Sequence, residues 1–210
     1  MTTYRKTILT IIMLALPLLA LAASEISFSG GYTKIDMQQG NRRVILSGGA
    51  HVSTETVDLV SDSIELYGEN YRFVTCTGSV SATETQRGIS FTTPSLVYDR
   101  TEGTVRSDGW IEIQDTQNEV ALSGAWFEYD MDRRFMKLQM MAKILKVTDE
   151  GLMVCRADSI EYDGEANTVS LKGSATVVWN NDTYRAAMII VDLNTNGISL
   201  YGTISGEFNG

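Results

Sequence analysis

Six short segments recur along this chain at nearly constant spacing. The pentapeptides that begin at Val44 (VILSG), Val74 (VTCTG), Val105 (VRSDG), Met136 (MKLQM), Val169 (VSLKG) and Ile198 (ISLYG) start 30, 31, 31, 33 and 29 residues apart. Repetition at such a period constrains the fold more than any local propensity, because each unit is one supersecondary element that buries its apolar face only against its neighbours. Tyr67, Tyr98, Tyr129 and Tyr162 each stand seven residues before one of these starts, and Val191 holds the same place before Ile198. Aspartate follows three of the tyrosines, as Asp99, Asp130 and Asp163.

Inside each unit the period is two. Val44/Leu46, Val74/Cys76, Met136/Leu138, Val169/Leu171 and Ile198/Leu200 alternate with polar or smaller residues, the pattern of a half-buried strand. A second alternating run precedes each tyrosine position, with Phe91, Leu122, Cys155 and Tyr184 seven residues ahead of it. Two residues further on, the same face carries the small Thr93, Gly124, Ala157 and Ala186, which predicts room between facing sheets. Each unit therefore reads as two strands. Glu102-Gly103, Asp163-Gly164 and Asn196-Gly197 predict tight reversals, and links this short require antiparallel pairing. Gly48, Gly78, Gly109, Gly173 and Gly202 recur mid-pattern, where strands normally avoid glycine, and predict a bend in one shared register. Met140 takes the glycine's place in the fourth unit, which predicts a local distortion there. The segment from Met136 to Val147 is the best helix candidate in the chain, and the repeat register assigns it to strand. The fold class is all-β, in about six two-strand units.

Arg5 and Lys6 precede an apolar run from Ile8 to Leu21, and Ala20-Leu21-Ala22 has the small-x-small form of an export cleavage site. Residues 1–22 are thus expected to be a cleavable signal peptide, with one domain over 23–210. Removing that segment takes away two cations and changes the formal net charge from −9 to −11. So acidic a chain is a poor ligand for nucleic acid, whose binding rests on neutralising phosphates. With one histidine and two cysteines, Cys76 and Cys155, the sequence offers no metal-ligating or nucleophilic constellation. Both cysteines fall on the inward phase, where a buried thiol and a disulfide are both open. Acid pairs such as Asp130/Asp132 and Glu161/Asp163 have the residue types of glycoside hydrolysis, but they recur with the turns. No catalytic residue, cofactor or metal is predicted.

The signal segment, the repeated V-x-L-x-G strands, the Ala157–Asp163 stretch (ADSIEYD) and the matching 91–99 and 184–192 stretches resemble the OstA/LptA family of periplasmic lipopolysaccharide-transport proteins. The resemblance covers about residues 26–208 and is best over 152–202. It implies a creased antiparallel β-jellyroll whose apolar groove holds the acyl chains of lipopolysaccharide or another acylated glycolipid. It implies partners too: other jellyroll proteins at both sheet edges, and head-to-tail copies of the chain itself, forming a bridge between inner and outer membranes. On this reading the groove is lined by Val44, Leu46, Val74, Phe91, Leu122, Met136, Leu138, Val169, Leu171, Tyr184, Ile198 and Leu200. Arg42, Arg43, Arg72, Arg133 and Arg134 lie just before strands and are the candidate contacts to the lipid headgroup. The same alternation also fits a ligand-free scaffold with a closed core, and the apolar N-terminus also fits a membrane-anchored relative of the LptC kind. A β-helical polysaccharide enzyme is the reading least compatible with the short hairpin turns.

Overall fold

The computed structural model describes residues 27–37, 42–53, 57–85, 88–195 and 197–207. The expected signal peptide lies outside the described residues. All sixteen strand segments belong to one antiparallel sheet. They are β1 (Ser27–Ser29), β2 (Tyr32–Asp36), β3 (Arg43–Ser53), β4 (Val57–Tyr67), β5 (Phe73–Glu84), β6 (Ile89–Asp99), β7 (Thr104–Ser107) and β8 (Ile111–Asp115). There follow β9 (Val120–Gly124), β10 (Trp126–Asp130), β11 (Phe135–Thr148), β12 (Gly151–Asp163), β13 (Thr168–Trp179), β14 (Asp182–Asp192), β15 (Gly197–Tyr201) and β16 (Ser205–Glu207). Four consecutive pairs (β1/β2, β7/β8, β9/β10, β15/β16) are halves of one interrupted strand, since both halves pair with the same neighbouring strands. The described residues thus form a meander of twelve long strands: the units that start at Val44, Val74, Val105, Met136 and Val169 each supply two, the unit at Ile198 supplies one (β15/β16), and β1/β2 precedes the first unit, which corrects the expectation of six two-strand units.

A crease crosses every strand. The pairing register slips at Ser47/Ala50, Val60/Ser63, Thr77/Val80, Gln139/Ala142, Arg156/Ser159 and Lys172/Ala175, and the four interrupted strands break on the same line. Bulges of this kind bend the strand and raise its local twist. On β3, β5 and β13 the bulge is a pair of left-handed residues: Gly48-Gly49, Gly78-Ser79 and Gly173-Ser174. Gly78 has φ +76°, and a Cβ there would lie 2.1 Å from the Asp62 carboxylate of β4. The neighbouring strand folds tightly over the bend, so both conformation and space demand glycine. In the fourth unit the predicted distortion does not occur. Met140 (φ 58°) and Met141 (φ 62°) adopt the same left-handed pair without glycine, exposed at 55% and 76%. The sheet's common bend overrides the local preference, at a cost of about 1–2 kcal/mol per residue.

The Tyr-Asp pairs prove to be turn chemistry. Asp99 Oδ1 accepts the Thr101 and Glu102 amides, Asp163 Oδ1 accepts those of Glu165 and Ala166, and Asp192 Oδ1 accepts those of Asn194 and Thr195. Asp130 does the same for Arg133. Each carboxylate closes a four-residue loop as an Asx turn. The left-handed residue is the last of the loop: Gly103, Arg134 and Asn167. At Asp163-Gly164 this corrects the expectation of a left-handed glycine. Gly164 is required for closeness instead, because a Cβ there would sit 2.8 Å from the Arg134 carbonyl oxygen.

Candidate functional site

Folding along the crease faces one half of the sheet against the other, and the inward phase of every strand fills the space between. Leu46, Val74, Phe91, Leu122, Met136, Leu138, Val169 and Leu171 are all buried, while Val44, Tyr184, Ile198 and Leu200 are half-buried and packed against them. The structure therefore gathers all twelve predicted groove residues into one continuous apolar cluster. It fills most of the room predicted around the small residues. Gly124 is where Leu138 fits: a Cβ on Gly124 would lie 2.8 Å from Leu138 Cγ. Ala157 and Ala186 lie beside the crease, where the two halves converge. Cys76 and Cys155 are free, buried thiols, each pushed up to about 12 by desolvation of the thiolate.

The interior is closed in the middle of the sheet and open at its N-terminal edge. Phe28 pairs across from Val52 and Ile35 from Val44, so both belong to the inward phase, yet they are 60% and 58% exposed. Beyond them no further strand pairs with β1 or β2 among the described residues, and β15 and β16 end the opposite edge in the same way. On the outer face, Trp110, Met141 and Leu145 line a separate cleft of about 690 Å³ with Glu112, Lys143 and Arg156 around them.

Five arginines were predicted to meet a headgroup, and all lie at the rim formed by the Tyr-Asp turns. That rim also collects their counter-charges. Arg72 holds Asp99 through a two-pronged contact of 2.6–3.0 Å and reaches Glu102 at 3.2 Å. This pairing holds the Asp99 carboxyl below the usual carboxylate range. Arg43 pairs with Glu65 across the sheet face. Arg133 stacks over Phe135 at 5.9 Å, Arg134 lies within electrostatic reach of Tyr162, and Arg42 is exposed. Of the acids with hydrolase-like spacing, Glu161 is paired with Lys172 and lies 3.8 Å from Lys137, and Asp130 and Asp163 hold turns.

At the opposite rim lies a feature that was overlooked in the sequence. Glu84, Asp115 and Lys146 all point inward and are buried. The register Glu84–Ile89–Asp115–Val120–Lys146 places them on one line across five strands. Each continues an alternation towards the strand end, to the last residue of β5 and β8 and to within two residues of the end of β11: Val80-Ala82-Glu84, Ile111-Ile113-Asp115, Ala142-Ile144-Lys146. The signal in the sequence is the inward phase itself, which reaches all three.

Comparison with known proteins adds three findings. The family described as LptA/(LptD N-terminal domain) LPS transport protein matches residues 33–197. No curated protein matches the chain. Among solved structures, the chain is similar at 12% identity to LptH, described as the LptA homologous periplasmic component of the conserved lipopolysaccharide transport device from Pseudomonas aeruginosa. That similarity covers 89% of this chain and 96% of LptH with a TM-score of 0.27, too low an overlay to bear on residue correspondence.

Proposed function

This chain belongs to the LptA/LptD N-terminal family of LPS transport proteins, and from that premise we propose that it is a periplasmic carrier of lipopolysaccharide or a related acylated glycolipid. On this reading residues 1–22 export the chain and are removed. The acyl chains lie along the interior between the two halves of the sheet, against the stripe from Val44 to Leu200. Copies join head to tail, with β1/β2 of one adding to β15/β16 of the next, so that backbone hydrogen bonds continue the ladder.

The observation that carries this reading is the inward phase at the N-terminal edge. Phe28 and Ile35 leave the apolar interior open where a neighbouring sheet would extend it. A strand added there prolongs both the ladder and the groove in one step. Such head-to-tail addition does not close on itself and builds filaments of variable length.

The packed interior favours a second reading, a ligand-free scaffold that polymerises by the same edges. The carrier reading requires the two halves to part. Each acyl methylene withdrawn from water contributes about 0.8 kcal/mol, so roughly ten of them offset about 8 kcal/mol, comparable to the stability of a whole domain. Parting the halves is therefore within reach of one acyl chain.

Mass spectrometry of lipid extracted from the natively purified protein, alongside light scattering over a range of concentrations, separates these readings. Bound phosphorylated glycolipid, with association weakened by Ile35→Asp, is the expected result. Lipid-free oligomers would favour the scaffold, and a lipid-free monomer at every concentration would refute both.

A further inference from the structure

Among the three inward charges, Lys146 alone lacks a partner. Asp115 is occupied, its carboxylate accepting the Asn118 amide at 2.9 Å and the Asn118 side-chain Nδ2 at 2.7 Å. Glu84 likewise has interactions of its own. Lys146 is 6% exposed as a residue and forms no hydrogen bond or ion pair with any described residue, while its ammonium nitrogen keeps access to solvent at the rim. Asp115 and Glu119 attract it from longer range, while burial pulls its pKa below that of an ordinary lysine.

The position of this lysine matters more than its charge. A small void of about 20 Å³ lies where the two rims meet over the interior, lined by Val120, Ile144 and Cys155 from one half and Val169, Val191 and Leu193 from the other. Lys146 is the one charged residue of that lining. A cation at the lip of an otherwise apolar cavity is complementary to an amphiphile whose anionic group sits directly above an acyl chain. An ammonium at the rim that is partly withdrawn from water, with no carboxylate within ion-pair distance, gains from an arriving anion by a charge-assisted contact.

We propose that Lys146 is the contact for a phosphate of the acylated glycolipid, whose acyl chain enters the interior through the adjoining void. This inference rests on the carrier reading and changes where the headgroup is met. At the arginine rim, Arg72 and Arg43 already hold carboxylates that an incoming phosphate must displace, Asp99 and Glu65. At Lys146 nothing has to be displaced.

The test measures equilibrium binding to the full chain and its variants of lipid A, of lipid A stripped of its phosphates, and of laurate. The native chain is expected to favour the phosphorylated lipid about tenfold, equivalent to about 1.4 kcal/mol. Lys146→Met should abolish that preference while leaving the stripped lipid bound as before, and Lys146→Arg should retain it. Lys146→Gln neutralises the same charge should the Met variant fail to fold. Equal weakening towards both forms of lipid A, or no change towards either, would overturn the assignment. Weakening confined to laurate would also overturn it, in favour of a fatty-acid carboxylate. If the native chain binds none of the three, the carrier reading itself fails.

Discussion

Replacing Gly78 and Met141, residues of two equivalent left-handed pairs on the crease, should shift stability in opposite directions. Gly78→Ala places a Cβ at φ +76° and 2.1 Å from the Asp62 carboxylate oxygen, with the Asp62 Cβ itself only 2.9 Å away. The left-handed conformation costs alanine about 1–2 kcal/mol. Moving Asp62 off its rotamer adds about 0.5–1.5 kcal/mol, and alanine recovers about 0.4–1 kcal/mol by restricting the unfolded chain. The net loss is about 1–2 kcal/mol, or a fall in Tm of roughly 4 °C for a chain of this length. Met141→Gly releases the same left-handed penalty. Its side chain is 76% exposed, so little burial is lost. The larger entropy of unfolded glycine takes back about half of the gain, leaving a stabilisation of about 0.5–1 kcal/mol. Equilibrium urea unfolding with an unchanged m-value gives both numbers. In an Asp62→Ala background the cost of Gly78→Ala should shrink by the Asp62 share alone, so the cycle separates conformation from crowding. A neutral Gly78→Ala, or two shifts of the same sign, would refute left-handed pairs as the origin of the crease.

Two other outcomes follow from the titratable groups. Arg72 lowers the Asp99 pKa in the folded state, so this pair contributes stability above the unfolded carboxylate value near about 3.9 and loses it as pH falls through the lower folded value. Asp99→Asn retains an oxygen for the turn amides; thermal melts should show a loss of less than about 1 kcal/mol at pH 7 and a flatter decline below about pH 4. If the variant shows the native acid profile, Asp99 is not the group responsible. Cys76 and Cys155, with thiols pushed up to about 12, should resist a thiol reagent in the native protein at pH 8 and react after unfolding in urea. Stoichiometric labelling of native Cys76 within minutes would contradict the closed interior, because that thiol sits deep beneath the strands on either side.

Much of this architecture is legible in one dimension. Alternation from Val44 to Leu200 names the buried face, because side chains on a strand switch sides at every residue. The recurring glycines place the crease, and Tyr-Asp places the turns, since an Asx turn needs only residues close in sequence. Met140-Met141 shows where such reading stops: two poor residues for a left-handed bend take it because neighbouring strands on both sides already bend there. The carboxylate partners of the rim arginines, Asp99 for Arg72 and Glu65 for Arg43, lie 27 and 22 residues away and depend on register between strands. Repeat spacing, alternation and the glycine register are enough to specify a bent antiparallel sheet with an apolar inner face. The closing of the two halves on each other, the fit of Leu138 into the space left by Gly124 and the place of Lys146 beside a void shared with Leu193 come from three-dimensional packing. Those facts depend on the angle at which the sheet folds on itself, a quantity set by every strand together and written in none of them alone.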